Sequence, residues 1–103
     1  MKRITVTEAA ERQKAGAVLV DVREHEEFQS VAASGAILIP LSRIQRDGLR
    51  AFEDAGVDAY REGLLLICRS GGRSAMVCES LGEHAINVDG GMLAWQMAGL
   101  PIR

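Results

Sequence analysis

The sequence predicts an α/β domain with a mostly parallel sheet covered by helices on both faces. Three observations carry that prediction. Short apolar runs recur at residues 17–22, 35–40, 64–68 and 85–88. Stretches with helical spacing or helix-capping signals lie between them. Apolar residues dominate the most regular runs instead of alternating with polar ones, as they do in strands buried on two faces. Strands that alternate with helices in this way build parallel sheets.

The elements follow in order. Thr5-Val6-Thr7-Glu8 has the form of a capping box, and a helix is expected from there to about Ala15, where Gly16 stops it. Residues 17–22 form a valine-rich strand. Residues 24–30 make a short polar helix with Phe28 turned inward. The run 35–40 is a second strand, closed by Pro40, which cannot donate to a ladder. Residues 41–60 carry a polar helical pattern, with Leu49 and Phe52 three apart and Ala55-Gly56 closing the run. Residues 64–68 are the most apolar strand and are placed at the centre of the sheet. A helix over 73–81, ending near Gly82, packs on it through Ala75, Met76, Val77, Cys78 and Leu81. Residues 85–88 give a last strand. Gly90-Gly91 then turns the chain into a final helix around Trp95, ended by Gly99 and Pro101.

A chain of 103 residues without a low-complexity linker or repeat is expected to be one domain, 1–103. A net charge of -2 argues against a dedicated nucleic-acid binder. Two cysteines are no disulfide framework in a chain of this size. The opening MKRITVTEAAERQ lacks the apolar stretch of a signal peptide, and no segment approaches the roughly 18–20 apolar residues of a membrane span. A cytoplasmic location, where thiols stay reduced, is therefore expected.

The chemistry concentrates in residues 68–74, Cys-Arg-Ser-Gly-Gly-Arg-Ser. Ligands of open parallel sheets bind beyond the carboxyl ends of strands, and Cys68 sits at such an end. A free thiol is mostly protonated at neutral pH, whereas the nucleophile is the thiolate. The helix after the loop aims its N-terminal amides toward Cys68, and Arg69 and Arg73 add positive charge; both effects favour the thiolate. Gly71 and Gly72 can leave successive N–H groups pointing inward as an anion nest. The loop is thus expected to be open to substrate, with a nucleophile at its floor.

Four local patterns, taken together and in order, resemble the rhodanese-like sulfurtransferases over nearly the whole chain. They are Asp21-Val22-Arg23-Glu24 with Glu27-Phe28, Gly35-Ala36-Ile37-Leu38-Ile39-Pro40-Leu41, the loop Cys68-Arg69-Ser70-Gly71-Gly72-Arg73-Ser74, and Gly90-Gly91 with Ala94-Trp95 and Gly99-Leu100-Pro101. The resemblance implies a rhodanese-like fold, a five-stranded parallel sheet with helices on both faces. It implies a thiosulfate sulfurtransferase in which Cys68 accepts a sulfane sulfur as a persulfide and passes it to a thiol or cyanide, without metal or organic cofactor. Arg69 and Arg73 would flank an anionic donor such as thiosulfate, and Ser70, Gly71, Gly72 and Ser74 would complete the loop. Asp21 and Arg23 would brace the region by hydrogen bonding, where the bare sequence offers only a solvated ion pair.

Other readings are weaker. A cysteine phosphatase or arsenate reductase uses Cys-x5-Arg, a loop wide enough for a phosphoryl group; the spacing here is Cys-x4-Arg. A persulfide carrier in a protein sulfur relay, with a protein acceptor, would use the same loop. A module that only binds partners would not need Cys68. Cys78 and Trp95 are expected in the core, His25 and His84 at the surface, and Arg43, Arg46 and Arg50 on a solvated face.

Overall fold

The computed structural model describes Met1–Arg103. The element order is β1 (Lys2–Ile4), α1 (Val6–Lys14), β2 (Leu19–Asp21), α2 (His25–Ser30), β3 (Ile37–Leu38), α3 (Leu41–Asp47), α4 (Arg50–Asp54), β4 (Leu64–Ile67), α5 (Gly72–Leu81), β5 (Ala85–Val88) and α6 (Gly91–Met97). The strands form one five-stranded sheet in the order β1-β5-β4-β2-β3. Every pairing is parallel, with Asp21 level with Ile67 and Leu66 level with Asn87. The expected α/β architecture is therefore the observed one, and the most apolar run is the central strand.

β4 divides its side chains between two cores. Leu64 and Leu66, with Cys68 just beyond the strand, face a cluster with Phe52 of α4 and Val77 and Cys78 of α5. Leu65 and Ile67 face a second cluster with Ala9 of α1 and Met92 and Trp95 of α6. All four residues of β4 are fully buried, and each such side chain contributes roughly 1.5–3 kcal/mol of burial free energy. This is why the strand reads as an unbroken apolar run.

Several details differ from the sequence reading. β1, Lys-Arg-Ile, was not expected, because a three-residue edge strand with two exposed positions has no burial pattern. The run 41–60 is two helices, broken at Gly48, whose φ of 61° with ψ of -137° is adopted readily only by glycine. The strands over 17–22 and 35–40 shrink to three and two paired residues. Phe28 is half-buried, with the Arg103 guanidinium 4.7 Å over its ring. His84 is not a free surface residue: its Nε2 lies 2.7 Å from the Ala59 carbonyl oxygen and its ring packs on Tyr60. The expected helix ends hold: Thr5 caps the start of α1, which closes at Ala15, and Gly82 follows α5. No helix is long and apolar enough to cross a membrane.

Candidate active site

The carboxyl ends of β2, β4 and β5 meet at one edge of the sheet, and a group of polar side chains is buried there. Cys68 follows β4, Asp21 closes β2 and Asn87 lies in β5. The backbone turns sharply after Cys68, with Gly71 at φ 113° as the residue before α5. That turn brings the start of α5 back over the sulfur. The Gly71 N–H donates to Cys68 Sγ at 3.1 Å, and Ser74 Oγ lies 3.3 Å from the same atom.

Two effects act on the thiol. Burial is the larger single one and pushes its pKa up; the Ser74 hydroxyl and the amides of Ser74, Gly71 and Ser70 together outweigh it, so the thiol titrates below its ordinary value. Arg73 adds a weaker attraction, since the charge on Cys68 is among the causes that raise the Arg73 guanidinium. Arg73 is held by Glu27 of α2: Nη1 donates to Oε2 and Nη2 to Oε1, both at 2.8 Å. The expectation that positive charge near the thiol favours the thiolate holds for Arg73, whose charge is shared with Glu27. Arg73 ties the loop to α2, and Arg69 stands exposed above it. The loop is also less open than expected. Cys68 is only 1 % exposed, while Arg69, Ser70 and Gly72 above it face solvent.

Asp21 and Arg23 are no solvated pair. Their side chains are 0 % and 4 % exposed. Arg23 Nη2 donates to Asp21 Oδ2 at 2.7 Å, Nε donates to both carboxylate oxygens at 3.0 Å, and the Arg23 backbone N–H donates to Oδ1 at 2.9 Å. The remaining guanidinium N–H groups donate to the carbonyls of Glu27 and Val31 at either end of the turn after α2 begins. A buried ion pair is stable only when its other hydrogen-bonding sites are filled in this way. The pair fixes α2 on the sheet, α2 carries Glu27, and Glu27 holds Arg73. A bracing chain thus runs from β2 to the loop.

The other side of the loop is held by α6. The Met92 N–H donates to the Cys68 carbonyl at 2.8 Å and the Leu93 N–H to the Arg69 carbonyl at 3.1 Å. Gly91, at φ 56°, makes this approach possible: a Cβ there would lie 2.4 Å from the Cys68 carbonyl oxygen.

Sequence reasoning brought together Cys68, the rest of residues 69–74, Asp21 and Arg23, and all of them lie at this edge. It missed two residues. Glu27 was visible only as part of a family pattern, with no partner assigned. Asn87 left one signal, a polar residue inside the otherwise apolar Ala-Ile-Asn-Val strand. Cys78 is in the core as expected, where burial raises its thiol to about 12. It stays protonated and inert at neutral pH.

Residues 5–98 match the family described as Rhodanese-like domain. An HTH-type transcriptional regulator of Mycobacterium tuberculosis is 36% identical over 100 residues, covering 96% of this chain and 43% of that one. A protein of Pyricularia oryzae named adenylyltransferase and sulfurtransferase uba4 is 35% identical over 97 residues, covering 77% of this chain and 20% of that one. The chain spans less than half the length of either relative. Among solved structures, a rhodanese-like domain protein from Staphylococcus aureus superimposes with a TM-score of 0.74 at 35% identity, covering 92% of this chain and 91% of that one.

Proposed function

The chain belongs to the rhodanese-like domain family, and from that premise we propose that it is a sulfurtransferase working through a persulfide on Cys68. The observation that carries the proposal is the sulfur itself: a thiol at the end of the central strand, reached by the Gly71 amide and the Ser74 hydroxyl. This environment favours a charged sulfur.

The reaction follows from that geometry. The Cys68 thiolate attacks the outer, sulfane sulfur of a donor such as thiosulfate. A new S–S bond forms from the thiolate lone pair, and the donor's own S–S bond breaks, its electrons leaving with sulfite. The terminal sulfur of the resulting persulfide carries the charge and sits among the loop amides. An acceptor, cyanide or a thiolate, then attacks that terminal sulfur; the persulfide S–S bond breaks and Cys68 returns as thiolate. Neither step needs a metal or organic cofactor. The leaving sulfonate faces outward, toward Arg69. A protein thiol could serve as acceptor in a relay, because Arg69, Ser70 and Gly72 are exposed around the sulfur. We place the activity in one domain, 1–103, and in the reducing cytoplasm.

The test is intact-mass measurement after incubation with thiosulfate and removal of excess. A gain of one sulfur, reversed by dithiothreitol and absent in Cys68→Ser, is expected. A sulfur that persists in Cys68→Ser, or no gain with any sulfane donor, overturns the proposal. Hydrolysis of a phosphate ester at a comparable rate would restore the phosphatase reading that the Cys-x4-Arg spacing disfavours.

A further inference from the structure

Ser74 is 0 % exposed and has one hydroxyl proton. Its Oγ nonetheless lies close to three acceptors: Asn87 Oδ1 at 2.6 Å, Cys68 Sγ at 3.3 Å and the Gly71 carbonyl oxygen at 3.3 Å. The Gly71 carbonyl is already filled, since it accepts from the Ala75 N–H at 3.1 Å and from Asn87 Nδ2 at 3.3 Å. The contest for the Ser74 proton is therefore between the sulfur and Asn87 Oδ1. Asn87 cannot turn away from it. Its Nδ2 is fixed by the Gly71 carbonyl and by Asp89 Oδ1 at 3.1 Å, and Asp89 in turn pairs with Arg3 of β1.

We propose that Asn87 is a positioning residue for the Cys68 nucleophile, which sets the thiol's ionisation by competing with it for the Ser74 hydroxyl proton. While Cys68 is a thiol, its S–H donates to Ser74 Oγ and the Ser74 O–H donates to Asn87 Oδ1, so the buried amide is satisfied. When the thiol proton leaves to water, the Ser74 O–H turns to the thiolate. A bond to an ion is about twice as strong as a neutral one, so the turn is favourable. It leaves Asn87 Oδ1, on a residue 3 % exposed, without that donor, and an unsatisfied buried acceptor is costly. Asn87 thereby holds the thiolate back from the full stabilisation Ser74 could give. A thiol whose pKa stays near ambient pH is also the better nucleophile for exchange at sulfur.

Other titratable or charged groups stand on the elements around Cys68 and must be held constant. They are Arg69 and Arg73 in the loop, Asp21 and Arg23 at the end of β2, Glu27 on α2, Cys78 on α5 and Asp89 after β5. The inference rests on Cys68 being the nucleophile of the proposed reaction, but not on sulfur transfer itself.

The experiment is a cycle read by the pH dependence of Cys68 alkylation in a Cys78→Ala background: parent, Ser74→Ala, Asn87→Leu and the double variant. Ser74→Ala should move the inflection up, and Asn87→Leu should move it down by roughly half to one pH unit. The double variant should match Ser74→Ala, because Asn87 acts through the hydroxyl. An Asn87→Leu inflection unchanged or raised, or an equal downward shift with Ser74 absent, overturns the inference. If Asn87→Leu does not fold, Asn87→Ala completes the same cycle. A protein that alkylates as expected yet loads no sulfur would defeat the proposed function and leave this inference standing.

Discussion

Arg73 and Glu27 are joined by two parallel N–H···O bonds of 2.8 Å across 46 residues of sequence. The pair ties the helix after β2 to the loop after β4. The bidentate contact with Arg73 is the main reason the Glu27 carboxyl is lowered to about 2, with burial opposing it. A carboxyl depressed in the folded state contributes stability that is present above its unfolded pKa of about 4.3 and is lost as pH falls through the folded value. Both side chains are about one-third exposed, so solvent screening reduces the contribution to about 1 kcal/mol. Glu27→Gln should therefore be less stable than wild type at pH 7, with the gap closing between pH 4.3 and 2. Urea unfolding at a series of pH values checks this, and a gap that persists at pH 2 would contradict the pairing.

Arg23→Ala should be far more damaging. It leaves the Asp21 carboxylate, 0 % exposed, without its partner. Removing one member of a buried pair costs about 3–5 kcal/mol. Sulfur loading should fall with it, because α2 and Glu27 lose their anchor. Denaturant midpoints and loading rates measured together test the link; an unfolding midpoint like that of wild type would show that the pair is dispensable.

Gly91→Ala and Gly99→Ala form a matched comparison. Both positions have positive φ, 56° and 68°, but only Gly91 has the Cys68 and Arg69 carbonyl oxygens within 2.5 Å of a new Cβ; nothing lies within 4 Å at Gly99. Gly99→Ala should cost about 1 kcal/mol from backbone strain alone. Gly91→Ala must also push the loop away from α6, so its thermal midpoint and its sulfur loading should both drop well below those of Gly99→Ala. Equal behaviour of the two variants would show that the close approach is not what Gly91 is for.

Arg69→Ala should reduce the rate of loading from thiosulfate on the order of threefold at low salt, and less at high salt, since an exposed charge contributes under about 1 kcal/mol. Loading from a neutral sulfane donor should be unchanged. Stopped assays with both donors at two ionic strengths decide this, and an equal loss with both donors would remove Arg69 from donor selection.

The fold was legible where burial is one-sided or complete. β4 and β5 were found to within a residue of their ends because every position is buried. β1 was missed because Lys2 and Arg3 project into solvent and only backbone pairing with β5 defines it. The loop was legible because its glycines and its cysteine have few bland uses together. What its arginines do was not. Arg69 and Arg73 are the same residue type on either side of one loop, and only the distance to Glu27 separates them. Asn87 was hidden for a related reason: its partners, Ser74 and Gly71, are thirteen and sixteen residues away in sequence.

The sheet ends on both sides in very little strand. One margin, β1, pairs three residues and carries Lys2 and Arg3; the other, β3, pairs two. Unpaired margins are where sheets of different molecules join into fibrils, and short, charged margins resist that joining. The long apolar stretches that could stack as cross-β, residues 64–67 above all, lie inside and are covered on both faces. Assembly of that kind must therefore wait for unfolding of the central strand, so the resistance of this protein to aggregation is set by its global stability and not by fraying at the rim.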